Sequence, residues 1–88
     1  MAYVYFLKSL KNGRYYIGST NDLKRRIKEH HDGNSKYTKF TRPFELVFSQ
    51  EFSSLLEARR IEHKLKSFKS RVVIEKIIKD KVIKIKWH

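Results

Sequence analysis

The pair Asn12-Gly13 stands between two runs rich in aromatic and β-branched residues, AYVYFLKS (2–9) and RYYIGST (14–20). An Asn-Gly step between such runs is a strong hairpin signal, because both residues tolerate the positive φ that two-residue hairpin turns require. The chain is therefore expected to open as an antiparallel strand pair. With that turn Lys11 opposes Arg14, Ser9 opposes Tyr16, Leu7 opposes Gly18 and Tyr5 opposes Thr20. Side chains alternate along a strand, so Tyr3, Tyr5, Tyr16 and Gly18 share one sheet face. In this register Tyr5 and Tyr16 lie roughly 13 Å apart along the strands, with Gly18 as an open patch between them. For any one of these tyrosines, ordinary packing against a helix is the commoner use.

Helical patterns follow. Thr20 or Asn21 can cap a helix over DLKRRIKEHH (22–31), with Asp22 placed for the helix dipole and Asp32-Gly33 as the stop. Residues 33–42 read as a basic, polar loop. PFELVFSQEF (43–52) reads as a third strand, with Phe44, Leu46 and Phe48 alternating onto one face. Ser53 or Ser54 caps a second helix whose apolar stripe is Leu55, Ala58, Ile61, Leu65 and Phe68. Ser70 caps a third, over 70–80. The order β-β-α-β-α-α implies an α+β domain, a small three-stranded antiparallel sheet flanked by about three helices. Residues 1–80 make up this domain. KVIKIKWH (81–88) alternates Ile83, Ile85 and Trp87 with lysines and forms a basic tail, a strand or an arm.

Eighty-eight residues suffice for one small core. Without cysteine the chain has neither disulfides nor thiolate metal ligands. No apolar run reaches the length of a membrane span, and a cytoplasmic location without a membrane partner is the expectation. Lysine and arginine number 21 against 9 carboxylates, a net charge of +12. Such an excess on a folded domain points first to a polyanion, and most often to nucleic acid.

Three charged positions stand out. Leu23, Ile27 and His30 share one face of the first helix, and Arg26 lies one turn before His30. The helix begins where the second strand ends, so Arg26 and His30 can overhang the tyrosine face. A guanidinium there suits a phosphate, being a planar fork of donors. A solvated arginine and a histidine at the core edge are the plainer reading. On the second helix Glu62 falls inside the apolar arc, between Leu55 and Ala58. A carboxylate there needs a partner: a divalent metal ion, an arginine, or Lys66 at i+4.

Together these residues resemble the GIY-YIG nuclease superfamily over nearly the whole chain. Its two tripeptides correspond to YVY (Tyr3-Val4-Tyr5) and YIG (Tyr16-Ile17-Gly18). GSTNDLKRRIKEH is similar to the stretch that carries the family's catalytic arginine, here Arg26, with His30 one turn on. ARRIEHKLK is similar to the helix that carries the metal-binding glutamate, here Glu62. The loop GNSKYTKFTRPFELVFSQ further resembles the compact stand-alone branch, the small bacterial proteins of the UPF0213 type. The first tripeptide departs from the pattern, with Tyr3 where the family has glycine.

The resemblance implies a metal-dependent endonuclease that hydrolyses phosphodiester bonds, DNA being the foremost substrate. One Mg²⁺ or Mn²⁺ would be held by Glu62, with waters completing its shell. Arg26 would neutralise charge on the phosphoryl oxygens, and Tyr5 or Tyr16 would position or deprotonate the water. His30 would bond a phenol or carry the proton onward. Arg14, Lys36, Lys39 and Arg42 are the expected backbone phosphate contacts, and Tyr37 or Phe40 the expected base-stacking residue. Two other readings use the same residues. One is a non-catalytic nucleic-acid-binding module in which Glu62 is structural. The other is a subunit active only within a larger complex, with the tail as docking arm for a protein partner.

Overall fold

Among the described residues three strands and three helices form in the expected order: β1 (Ala2–Ser9), β2 (Tyr15–Thr20), α1 (Leu23–His31), β3 (Phe44–Phe52), α2 (Leu55–Phe68) and α3 (Arg71–Asp80). The computed structural model describes residues 1–32 and 43–83. Lys36, Tyr37, Lys39, Phe40 and Arg42 lie outside the described residues, as do Ile85 and Trp87 of the tail. The sheet is antiparallel, with strand order β2-β1-β3. The fold is α+β, as the pattern of elements predicts.

The hairpin register differs from the expected one by two residues. Tyr5 pairs with Gly18, Leu7 with Tyr16 and Tyr3 with Thr20. The buried Ser9 is the cause. Its hydroxyl accepts from the N–H groups of Lys11 (3.1 Å) and Asn12 (3.2 Å). Its own backbone N–H donates to the Arg14 carbonyl at 2.8 Å, and its carbonyl accepts from Gly13 at 2.9 Å. The connection therefore spans residues 10–13, and only Gly13 in it takes a positive φ, 74°. A two-residue type I′ turn needs two such residues, so a four-residue loop wins. An even slip keeps every side chain on its face. Tyr3, Tyr5, Tyr16 and Gly18 still point the same way, but Tyr5 now lies beside Gly18.

The third strand also departs from simple alternation. Phe6 pairs with Phe48 while Leu7 pairs with Leu46, which leaves Val47 as the extra residue of a β-bulge. The bulge sends Phe44 and Phe48 to opposite faces, not to one face as alternation predicts. Phe44 joins Tyr5 and Leu7 under Leu23 and Ile27 of α1. Phe48 and Phe52 join Ala2, Val4 and Phe6 against Ala58, Ile61 and Leu65 of α2, with Ile77 of α3. The sheet thus carries two apolar clusters, one on each side. Ile83 closes the larger one, and its N–H donates to Gln50 Oε1 at 2.9 Å.

Side-chain caps fix where the helices start. Asp22 accepts from Arg25 N–H, Ser54 from Glu57 N–H and Ser70 from Val73 N–H. The first cap is Asp22; Thr20 instead accepts from Asp22 N–H. Phe68 is not part of the α2 stripe's burial. It sits in the last turn, 41% exposed, with Lys64 Nζ 5.7 Å from its ring centre. Among the described residues no helix is long and apolar enough to cross a membrane.

Candidate functional site

Because β2 is an edge strand, side chains from both sheet faces meet along its outer border. Tyr16 and Gly18 point toward α1, and Ile17 and Ser19 toward α2. A cleft of about 750 Å³ follows this border. Tyr5, Tyr16, Gly18, Arg26, His30 and Glu62 all line it, and so does Arg14. Every site residue the sequence singles out within the described residues is therefore in one place.

One wall is a phenol held by two partners. Tyr5 is 3% exposed and lies against the Gly18 backbone. The Gly18 patch is filled by the Tyr5 ring rather than open: a Cβ on Gly18 would overlap the phenol, with Tyr5 Cε1 only 2.9 Å away. Arg26 Nε donates to the Tyr5 oxygen at 3.3 Å. His30 Nε2 lies 3.1 Å from the same oxygen, and the two rings meet edge-on. Glu29 accepts from the other end of the Arg26 guanidinium at 3.2 Å and also pairs with Arg25. Glu29 is a residue the sequence reading missed; its i+3 spacing from Arg26 was the available signal.

Electrostatics follows from burial. His30 is 5% exposed. Desolvation, with help from the Arg26 charge, pushes its pKa down from 6.5 to about 4. The imidazole is therefore neutral at physiological pH, a hydrogen-bonding partner for the Tyr5 hydroxyl that resists protonation. Burial also raises the Tyr5 pKa above its usual 10, and the opposing pull of Arg26 does not cancel that.

Tyr16 has a different setting. It is half-buried, its ring meets Phe44 edge-on at 5.4 Å, and its hydroxyl makes no hydrogen bond to a described residue.

Glu62 forms the opposite wall, with its side chain 20% exposed. Ser19 Oγ donates to one carboxylate oxygen, and Lys66 Nζ donates to the other at 2.6 Å. Lys66 is thus the partner that the i+4 spacing offered. Ser19, the residue after the YIG tripeptide, was not foreseen. Among the described residues no cluster of three or more His, Cys, Asp or Glu surrounds this carboxylate. The donors at hand, a carboxylate and a hydroxyl, are hard oxygens. They fit an ion such as Mg²⁺ or Mn²⁺ that keeps most of its water, and they do not fit zinc.

The chain is similar to known proteins. A family model described as the GIY-YIG catalytic domain matches residues 1–81. UPF0213 protein YazA of Bacillus subtilis is 43% identical over 63 residues, 70% of this chain and 64% of that protein. UPF0213 protein BH0048 of Halalkalibacterium halodurans is 44% identical over 70 residues, 78% of this chain and 73% of that one. The solution NMR structure of that protein superposes with a TM-score of 0.58, at 42% identity, covering 92% of this chain and 86% of its own.

Proposed function

The chain belongs to the GIY-YIG family, among its UPF0213 members, and on that footing we propose that it is a metal-dependent endonuclease cutting DNA. Membership establishes the coarser point, a nuclease-type domain whose substrate class is nucleic acid. The observation that carries the finer reading is the Tyr5–Arg26–His30 group facing Glu62 across one cleft.

The groups divide the work as follows. A phosphodiester lying in the cleft meets Arg26, whose remaining N–H groups point charge at the non-bridging oxygens. Tyr5, its hydroxyl held by Arg26 Nε and His30 Nε2, orients the attacking water, whose proton passes to the departing 3′ oxygen. The water oxygen forms the new P–O bond, and the bond to the 3′ oxygen breaks. The raised Tyr5 pKa keeps the phenol protonated, a positioning hydrogen-bond group and not a standing phenolate base. Tyr16, with its hydroxyl unclaimed, orients the attacking water or a phosphate oxygen. Glu62, with the Ser19 hydroxyl beside it, would hold the divalent ion, which supplies Lewis-acid polarisation of the phosphate and steadies the departing oxygen. Lys66 must then leave the carboxylate oxygen it now occupies.

The same Lys66–Glu62 pair favours the competing reading, a binding module in which Glu62 is merely structural. The decisive assay incubates the protein with labelled single-stranded, duplex, flapped and branched DNA in Mg²⁺, Mn²⁺ or EDTA, beside Glu62→Gln. Cleavage that requires metal and disappears in the variant is the expected result. Binding by both proteins without cutting in any arm would remove the enzyme reading and leave the binding module or a partner-dependent subunit.

A further inference from the structure

A second groove opens where the cleft ends. It holds about 300 Å³ at the corner between α2 and α3, and it shares Arg14, Tyr15, Ile17 and Lys66 with the cleft. Its floor is apolar: Ile17, Leu65 and Ile74 with the Tyr15 ring. Its rim is cationic: Arg14, Lys66, Lys69 and Arg71. We infer that this groove is a second binding subsite, which takes the single-stranded continuation of the strand whose phosphate lies in the cleft.

Three observations support that occupant. The groove adjoins the cleft and shares four lining residues with it, so a chain leaving Glu62 past Lys66 meets it next. The combination of apolar floor and basic rim matches a strand that presents bases inward and phosphates outward. Tyr15 also gathers cations at the groove. Arg71 Cζ lies 5.1 Å and Lys8 Nζ 5.8 Å from its ring centre. Arg71 shares its charge with Glu75 at 3.3 Å, but both side chains are more than half exposed. Such a pair is weak in water and leaves the guanidinium available to a phosphate. A duplex end offers no unstacked base to the floor, so the groove selects for a frayed or single strand.

The helix ends supply a matched control. Lys69 and Lys81 cap α2 and α3 in the left-handed region, with φ of 48° and 59°. Glycine suits both positions. Lys69→Gly and Lys81→Gly each remove one charge and relieve similar backbone strain, but only Lys69 lines the groove. Binding of labelled single strands of about 4 and about 12 nucleotides is measured in EDTA across a salt series. Lys69→Gly and Arg71→Gln are expected to weaken the long strand about fivefold and flatten its salt slope by about 0.7 per lost phosphate contact. Lys81→Gly should leave the long strand near wild type, and the short strand should be indifferent to all three.

Equal effects of Lys69→Gly and Lys81→Gly, or none from either, would overturn the subsite. The inference rests on the nucleic-acid reading of the cleft, yet it is read without metal or cutting. If no variant cleaves but long-strand binding separates Lys69 from Lys81, the subsite stands and the nuclease reading falls. If cleavage is metal-dependent and the two lysines behave alike, the subsite falls and the nuclease reading stands.

Discussion

At the scale of single residues, Tyr5 is where sequence constraint and chemistry meet. Its ring needs Gly18 beneath it, and its oxygen needs Arg26 and His30. Gly18→Ala should therefore displace the phenol. A loss of about 1–3 kcal/mol in stability is expected from this overpacking, measured by urea denaturation, together with loss of cleavage. His30 gives a pH signature. Between pH 6.5 and about 4 the unfolded chain binds a proton that buried His30 refuses. Stability from this group is full above pH 6.5 and falls as pH drops through that window, by about 3 kcal/mol in all. The unfolding free energy of wild type minus that of His30→Phe, followed from pH 7 to pH 4, should fall with this slope. The identities of these residues were readable from the chain, because their spacing is local or falls on a recurrent motif. The Tyr5–Gly18 contact was not, because it depends on a register set by one hydroxyl, that of Ser9.

At the scale of elements, periodicity and caps were legible and irregularities were not. The α2 stripe, the Ser54 and Ser70 caps and the strand order of types all follow from short-range pattern. The Val47 bulge has no signature in FELVFSQEF, since it answers to the pairing of β1 with β3 rather than to either strand alone. Phe68 continued the stripe on paper, but the chain turns away at Lys69 and leaves it in water. The i,i+4 pair Glu62–Lys66 is the element-level feature on which the proposed metal binding turns. The ammonium occupies a carboxylate oxygen that a divalent ion would need. Lys66→Gln should tighten Mn²⁺ binding about fivefold, about 1 kcal/mol, as read by calorimetric or spin-resonance titration without substrate. Unchanged or weaker binding would mean that Lys66 does not guard the site.

At the scale of the molecule, charge sets the operating conditions. A net charge of +12 on 88 residues draws polyanions from a distance, and that attraction is screened by salt. The apparent affinity for any nucleic acid should drop at least tenfold between about 50 and 200 mM salt, measured by fluorescence anisotropy. A flat salt profile would argue against phosphate contacts as the main source of affinity. The charge was evident from composition; the placing of Arg14, Arg26, Lys66, Lys69 and Arg71 around the cleft and the α2–α3 corner depends on the folded topology.

The border strand β2 has a further consequence. The Tyr5 half of the site lies beside the apolar cluster under α1, and the Glu62 half beside the cluster under α2. Among the described residues only β2 contributes lining residues to both halves, and its pairing with β1 is what fixes their separation. The lifetime of the assembled site is thus bounded by the lifetime of one ladder of backbone hydrogen bonds. Amide exchange along Tyr15–Thr20 would time how long each active assembly survives, and a ligand spanning both halves would slow that exchange most where the two clusters meet.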